Sequence, residues 1–162
     1  EVTTIIIPRH IERVKNIESL CQKLNLKSQI LSEDGLISLD KEIIIINSYG
    51  IASKYLKFCK SVFIGKSTIK KLESVGGQNP IEAAKFGCKI YHGPYVYNFQ
   101  EVYELLNKNN ISEKIYSVTE LSNKLIYDLN NRDKVGKNNI TILNEMGKRI
   151  LDKTYNEIGN IF

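Results

Sequence analysis

Val2-Thr3-Thr4-Ile5-Ile6-Ile7-Pro8-Arg9-His10-Ile11-Glu12-Arg13 changes its hydrophobic period partway along. Residues 2–7 are β-branched throughout, the composition of a strand buried on both faces. Pro8 offers no N–H to a sheet ladder and stops the strand. Beyond it, Ile11, Val14, Ile17, Cys21 and Leu24 recur every three or four residues, which predicts an amphipathic helix over 10–24. The chain therefore opens with a strand, an arginine-bearing junction and a helix.

The same alternation continues outward. A short strand is predicted at Ser28–Leu31, followed by a Ser32-Glu33-Asp34-Gly35 turn. Ile43–Ile46 reads as a buried strand ended by Asn47-Ser48-Tyr49-Gly50, and 51–59 as a short helix. Val62-Phe63-Ile64 is a strand closed by Gly65; the Lys-rich 66–75 has no period and reads as a loop. Pro80 suits a first helical position with Asn79 as its cap, predicting a helix over 80–86 ended by Gly87. A strand at 89–91 closes on Gly93-Pro94, Asn98 caps a helix to 107, and 115–118 is a last strand before a helix capped by Thr119. In the tail, 133–162, Leu143, Met146, Ile150, Leu151, Tyr155 and Ile158 keep helical spacing. Alternating strands and helices imply an α/β, Rossmann-like doubly wound parallel sheet. No repeat or linker interrupts it, so 1–162 is expected to be a single domain. Ligands of such sheets sit beyond the carboxyl ends of strands. That directs attention to 8–10, 48–50, 65–67, 76–82 and 92–94.

Composition narrows the functional classes. A chain of 162 residues with 42% hydrophobic and 25% charged residues suits a soluble globular domain, not a disordered tail or disulfide scaffold. Its longest apolar run, Ile43–Ile46, is far short of the roughly 20 residues a spanning helix needs. There is no signal peptide and no initial Met, which reads as a piece of a longer protein with any membrane anchor upstream. Net charge is +5, but the lysines are scattered and the arginines are only Arg9, Arg13, Arg132 and Arg149. Solvated lysines, rather than a nucleic-acid surface, are expected; a basic face toward an anionic lipid leaflet is the alternative. Cys21, Cys59 and Cys88 each sit in apolar context and read as small buried hydrophobes in a reducing compartment. Cys88 and His92 lack a second ligand pair, so no metal is expected.

The junctions carry the chemistry. A guanidinium at Arg9 can grip a phosphate or carboxylate through parallel hydrogen bonds; a plain surface arginine fits the spacing equally well. In Gly76-Gly77-Gln78-Asn79-Pro80-Ile81-Glu82 the glycines allow close backbone approach to a ligand, and the helix start offers free N–H groups and a positive dipole to an anion. Glu82, in the first turn, can accept from ribose hydroxyls, or simply favour the helix start. The run is neither a P-loop nor a GxGxxG fingerprint. Tyr49-Gly50-Ile51 is either a backbone contact to a base or phosphate, or an ordinary strand-to-helix turn. His92-Gly93-Pro94-Tyr95-Val96-Tyr97-Asn98-Phe99 either lines a cleft with aromatics or fills the core.

Taken together, these runs resemble the C-terminal domain of the 3-deoxy-D-manno-octulosonic acid (Kdo) transferases. Pro8-Arg9-His10-Ile11-Glu12-Arg13 is similar to the family's P-R-H-x-E-R. Gly76 to Glu82 is similar to G-G-H-N-P-L-E, and Gly93-Pro94 with Asn98-Phe99 to G-P-x-x-x-N-F. The resemblance covers nearly the whole chain and keeps motif order. It implies the C-terminal half of an inverting GT-B glycosyltransferase that moves Kdo from CMP-Kdo to the lipid A precursor. This half would bind CMP, with Pro8 and Arg9 on the nucleotide and Arg9 on its phosphate. Tyr49, Gly50 and Ile51 would form a second contact, and Asn79, Pro80, Ile81 and Glu82 a third, with Glu82 on the ribose. The implied general base is a carboxylate of an N-terminal domain outside this chain, which would also meet the acceptor and the inner-membrane surface from the cytoplasmic side. No cofactor is implied. The chain departs from the family pattern at Asn47 for Asp, Ile51 for Glu, Gln78 for His and Lys66 for Gly. These changes leave backbone contacts at Tyr49 and Gly50 as the implied ones. Two further classes remain open: a nucleotide-sugar binding module without transfer activity, and a GT-B sugar epimerase.

Overall fold

A computed structural model describes residues 2–131 and 139–159. The chain divides into two compact units, Glu1–Tyr55 and Leu56–Phe162. Each is built on a three-stranded, wholly parallel sheet.

The first unit contains β1 (Thr4–Ile6), α1 (Val14–Lys23), β2 (Ser28–Leu31) and β3 (Ile43–Ile46), with sheet order β1-β3-β2. β3 pairs in register with both neighbours, Thr4 and Ser28 opposite Ile43. Its Ile44, Ile45 and Ile46 are fully buried. Side chains alternate across a strand, so Ile44 and Ile46 join Leu31 and Ile51 on one face, and Ile45 joins Val14 and Cys21 on the other. Burial on both faces is why this strand is an unbroken isoleucine run; each such side chain contributes about 1.5–3 kcal/mol. The predicted helix over 10–24 begins as a 3-10 turn, Ile11–Arg13, and becomes α-helical from Val14.

α2 (Ala52–Leu56) lies at the division and is shorter than the predicted 51–59. The second unit holds β4 (Ser61–Ile64), α3 (Ile81–Lys85), β5 (Lys89–His92), α4 (Gln100–Lys108), β6 (Ser112–Lys114), α5 (Val118–Asn130) and α6 (Asn139–Gly159), with sheet order β4-β5-β6. The Lys-rich loop contains a 3-10 segment, Lys70–Val75. β6 falls three residues before the expected 115–118: the register with β5, Ile90 to Ser112 and His92 to Lys114, selects it, while Tyr116 and Val118 are exposed. Ser117, not Thr119, caps α5; its Oγ accepts from Glu120 N–H at 3.1 Å, and Glu120 Oε2 accepts from Tyr116 N–H at 2.8 Å. Of the predicted helical tail, 133–138 and 160–162 lie outside the described residues.

One device recurs at the helix ends. Asn25, Gly87 and Asn110 have φ of 54°, 78° and 58°. After each, the chain closes the helix with paired bonds: Asn25 to Gln22 O and Leu26 to Cys21 O, Gly87 to Ala84 O and Cys88 to Ala83 O, Asn110 to Asn107 O and Ile111 to Leu106 O. This left-handed cap turns each helix directly into the next strand, and in each parallel sheet the strand-to-helix junctions lie at the carboxyl ends of the strands.

Candidate functional site

Within the first unit, two junctions follow the paired strands β1 and β3. Pro8 is half-buried, and Arg9 and His10 are exposed. Among the described residues Arg9 forms no ion pair, which leaves its guanidinium available. Tyr49 ties the junctions together: its hydroxyl donates to Glu12 Oε1 at 3.4 Å and accepts from Ile11 N–H at 3.5 Å, both long. Gly50 has φ of 73° and a Cβ added there would meet nothing within 4 Å, so the residue is required by conformation and its backbone faces open space. Ile51 behaves differently. Its side chain is buried against Leu31, Ile44 and Ile46. Any contact it makes with a ligand is through backbone, and no carboxylate stands there.

Within the second unit, the junctions after β4 and β5 interlock. Gly77 N–H donates to Lys66 O at 2.9 Å, Asn98 N–H to Gly76 O at 3.2 Å, and Asn98 Nδ2 to Val75 O at 3.0 Å. Ser67, fully buried, donates through Oγ to Ile64 O at 2.7 Å and accepts from Gly93 N–H at 2.9 Å, while its carbonyl accepts from Tyr95 N–H at 2.9 Å. The glycine pair is buried within this knot. A Cβ on Gly76 would lie 2.5 Å from Tyr95 O, and one on Gly77 would lie 2.9 Å from Val96 Cα. Expected to admit a ligand, these glycines instead admit the 95–96 backbone.

The Gly76–Glu82 run thus presents its far end. Asn79 is exposed, and its Oδ1 accepts from Ile81 N–H at 2.9 Å. Asn79 caps the helix start as predicted, and thereby takes one of the N–H groups expected to face an anion. α3 spans only 5 residues, too short for a substantial macrodipole. Pro80 is fully buried and serves packing, Ile81 is half-buried, and Glu82 is exposed in the first turn.

The sequence reading missed the residue that holds this segment from beneath. Tyr103 on α4, 1% exposed, donates from its hydroxyl to Gln78 O at 2.9 Å and packs against the His92 ring, centroids 4.3 Å apart. Burial pushes the Tyr103 hydroxyl pKa well up, keeping it a donor. A tyrosine on the apolar face of a predicted helix was the available signal. His92 is fully buried, with Nδ1 2.7 Å from Gly93 O and Nε2 3.3 Å from Asn107 Oδ1. Burial holds its pKa below 6.5. Asn98, expected to cap a helix, belongs to the knot, and Phe99 occupies the α4 cap position.

Cys88 is equally committed: its thiol donates to Leu56 O and Cys59 O, 3.4 Å each, and burial pushes its pKa up to about 12. Among the described residues no cluster of three or more His, Cys, Asp or Glu is arranged to hold a metal, and no helix is long and apolar enough to cross a membrane. A cavity of about 250 Å³ lies between α4 and α6, lined by Leu105, Lys108, Ile142, Met146 and Arg149. It is at the end of α4 away from the knot and is not part of the candidate site.

Comparison with known proteins gives these loops a context. The chain is 30% identical over 162 residues to the 3-deoxy-D-manno-octulosonic acid transferase of Rickettsia bellii, covering 98% of this chain and 38% of that protein. It is 26% identical over 121 residues to the enzyme of the same name from Aquifex aeolicus, covering 75% of this chain and 32% of that one. The chain thus spans about a third of the length of these relatives. Its fold matches the crystal structure of the C-terminal CMP-Kdo binding domain of WaaA from Acinetobacter baumannii, with a TM-score of 0.73, 22% identity, and coverage of 81% of this chain and 66% of that one. No family model matches.

Proposed function

From a chain related along most of its length to part of the Kdo transferases, we propose that it is the donor-binding half of such an enzyme, holding the CMP part of CMP-Kdo. The complete protein then transfers Kdo to the lipid A precursor as an inverting GT-B glycosyltransferase at the cytoplasmic face of the inner membrane. The observation that carries this reading is positional. The candidate residues that are not fully buried, namely Pro8, Arg9, Tyr49, Gly50, Asn79, Ile81 and Glu82, all fall at carboxyl ends of parallel strands or at the helix start that follows one. The same stretches hold the motifs that resemble those of the Kdo transferases.

In this reading Arg9 takes the CMP phosphate and Glu82 accepts from the ribose hydroxyls. Tyr49 fixes the loop that carries Arg9 by its contacts to Glu12 and Ile11. Tyr103 fixes Gln78 and so the approach to Asn79. A base in the remainder of the enzyme removes the acceptor proton, and the hydroxyl displaces CMP at the anomeric carbon with inversion. Negative charge grows on the departing phosphate, and a guanidinium already in place stabilises it without reorganisation. The phosphate is met by protein charge, so the reading assigns no cofactor. Arg9→Ala in the full-length protein should lower the transfer rate by roughly two orders of magnitude, a usual loss for one group stabilising developing charge. Near-normal turnover would remove Arg9 from the mechanism.

The burial of Ile51 favours a second reading, a nucleotide-sugar binding module without transfer activity, because no side-chain carboxylate stands at that contact. The full-length protein given CMP-Kdo and acceptor separates the two: the module binds donor and forms no product. Calorimetric titration with CMP and UDP addresses the epimerase alternative, in which UDP binds tighter.

A further inference from the structure

Lys66 follows Gly65 at the carboxyl end of β4 and has φ of 59°, in the left-handed region. Lysine is uncommon there, since its Cβ crowds the following carbonyl. The bend is held from both sides. Lys66 O accepts from Gly77 N–H at 2.9 Å, and the next residue, Ser67, is fully buried and bonded to Ile64, Gly93 and Tyr95. The knot therefore needs a left-handed residue at this point, and glycine would supply it without strain. The chain carries a lysine instead, half-buried, whose backbone is one hydrogen bond from the Gly76–Glu82 run. Among the described residues Lys66 forms no ion pair, so no carboxylate accounts for its charge. Lys70 and Lys71, both exposed, follow in the same connection and keep it cationic. Backbone strain of this kind clusters at ligand-binding and active sites, where the surrounding structure holds it in place.

We propose that Lys66 is a phosphate-binding residue of the donor site, its ammonium meeting the phosphate of the cytidine nucleotide from the β4 side. The inference rests on the CMP-binding reading above. It is tested in the full-length protein by calorimetric titration with CMP and with cytidine, comparing wild type, Lys66→Met, Lys66→Gly and Arg9→Ala. Lys66→Met keeps the length of the side chain and the strained bend but removes the charge; Lys66→Gly removes both. The expected result is CMP binding weakened about tenfold or more in both Lys66 variants, the loss of one charge-assisted hydrogen bond. Cytidine binding should be unchanged, and Lys66→Gly should melt no lower than wild type. A purely structural lysine predicts wild-type CMP affinity in Lys66→Met, and that result overturns the proposal. If Arg9→Ala weakens CMP while Lys66→Met does not, only this inference falls. If wild type binds no CMP, the donor-site reading falls with it.

Discussion

Replacing Gly77 by alanine tests the interlocked loops most directly. The residue has φ of 83°, and an added Cβ would meet Val96 Cα at 2.9 Å and Val96 C at 3.3 Å. Those atoms are backbone and cannot swing aside. A left-handed alanine costs about 1–2 kcal/mol, reduced by roughly 0.5–1 kcal/mol because alanine narrows the unfolded ensemble. Forcing a methyl into filled space adds about 1–3 kcal/mol. The sum is a net loss of about 1–4.5 kcal/mol. Gly50→Ala is the matched control, since φ there is 73° but nothing lies within 4 Å of an added Cβ. It should lose only the conformational part, about 1 kcal/mol. Denaturant titration of both variants measures the gap between them, and that gap is the steric contribution alone. Equal losses would refute the claim that the glycine pair exists to admit the 95–96 backbone. Because the knot also sets Gln78 and Asn79, Gly77→Ala should weaken CMP binding as well.

Other outcomes follow from the buried polar groups and from α6. Asp128, buried on α5, accepts from the Ser61 hydroxyl and from Tyr91 Oη at 2.8 Å. Asp128→Ala should cost about 1–3 kcal/mol by stranding these donors, and Tyr91→Phe in the same background should recover part of the loss in denaturant melts. His92 is neutral in the fold because burial holds its pKa below 6.5. Below pH 6.5 the unfolded chain therefore takes up a proton that the folded chain refuses, and stability should decline by up to about 1.4 kcal/mol per pH unit until the folded pKa is reached. His92→Gln should flatten this part of the profile; a wild-type profile as flat as the variant's would contradict it. Gly147 lies inside α6 with open space around an added Cβ, so Gly147→Ala should stabilise by about 1 kcal/mol in thermal melts.

What the sequence made legible was the alternation of elements and the place of the junctions. β3 was readable because a strand buried on both faces must be apolar at every position, and Ile43–Ile46 is. α1 was readable because Val14, Ile17 and Cys21 keep one face. β6 was misplaced because Ile115 and Val118 looked more strand-like than Ser112-Glu113-Lys114; pairing with β5 outweighed side-chain preference. The left-handed caps at Asn25 and Asn110 went unread because asparagine announces a cap less clearly than Gly87 does. Within the candidate site, the junction positions of Arg9, Asn79 and Glu82 were legible from the order of strands and helices. The roles of Gly76, Gly77 and Pro80 were not, since a glycine that serves a ligand and one that serves a neighbouring loop look alike until the loop is in place. The division near Tyr55 left no mark because helical residues of α2 run across it.

The strand order of the first unit has a consequence for synthesis. β1 and β2 leave the ribosome first, yet neither bonds to the other; both bond to β3. A nascent chain ending before residue 43 would carry two unpaired edges and a finished helix with no hydrogen-bonded ladder between them. The unit then waits for its last and greasiest strand to thread between the two already made, and until it does the edges of β1 and β2 stay open to pairing with a neighbour's.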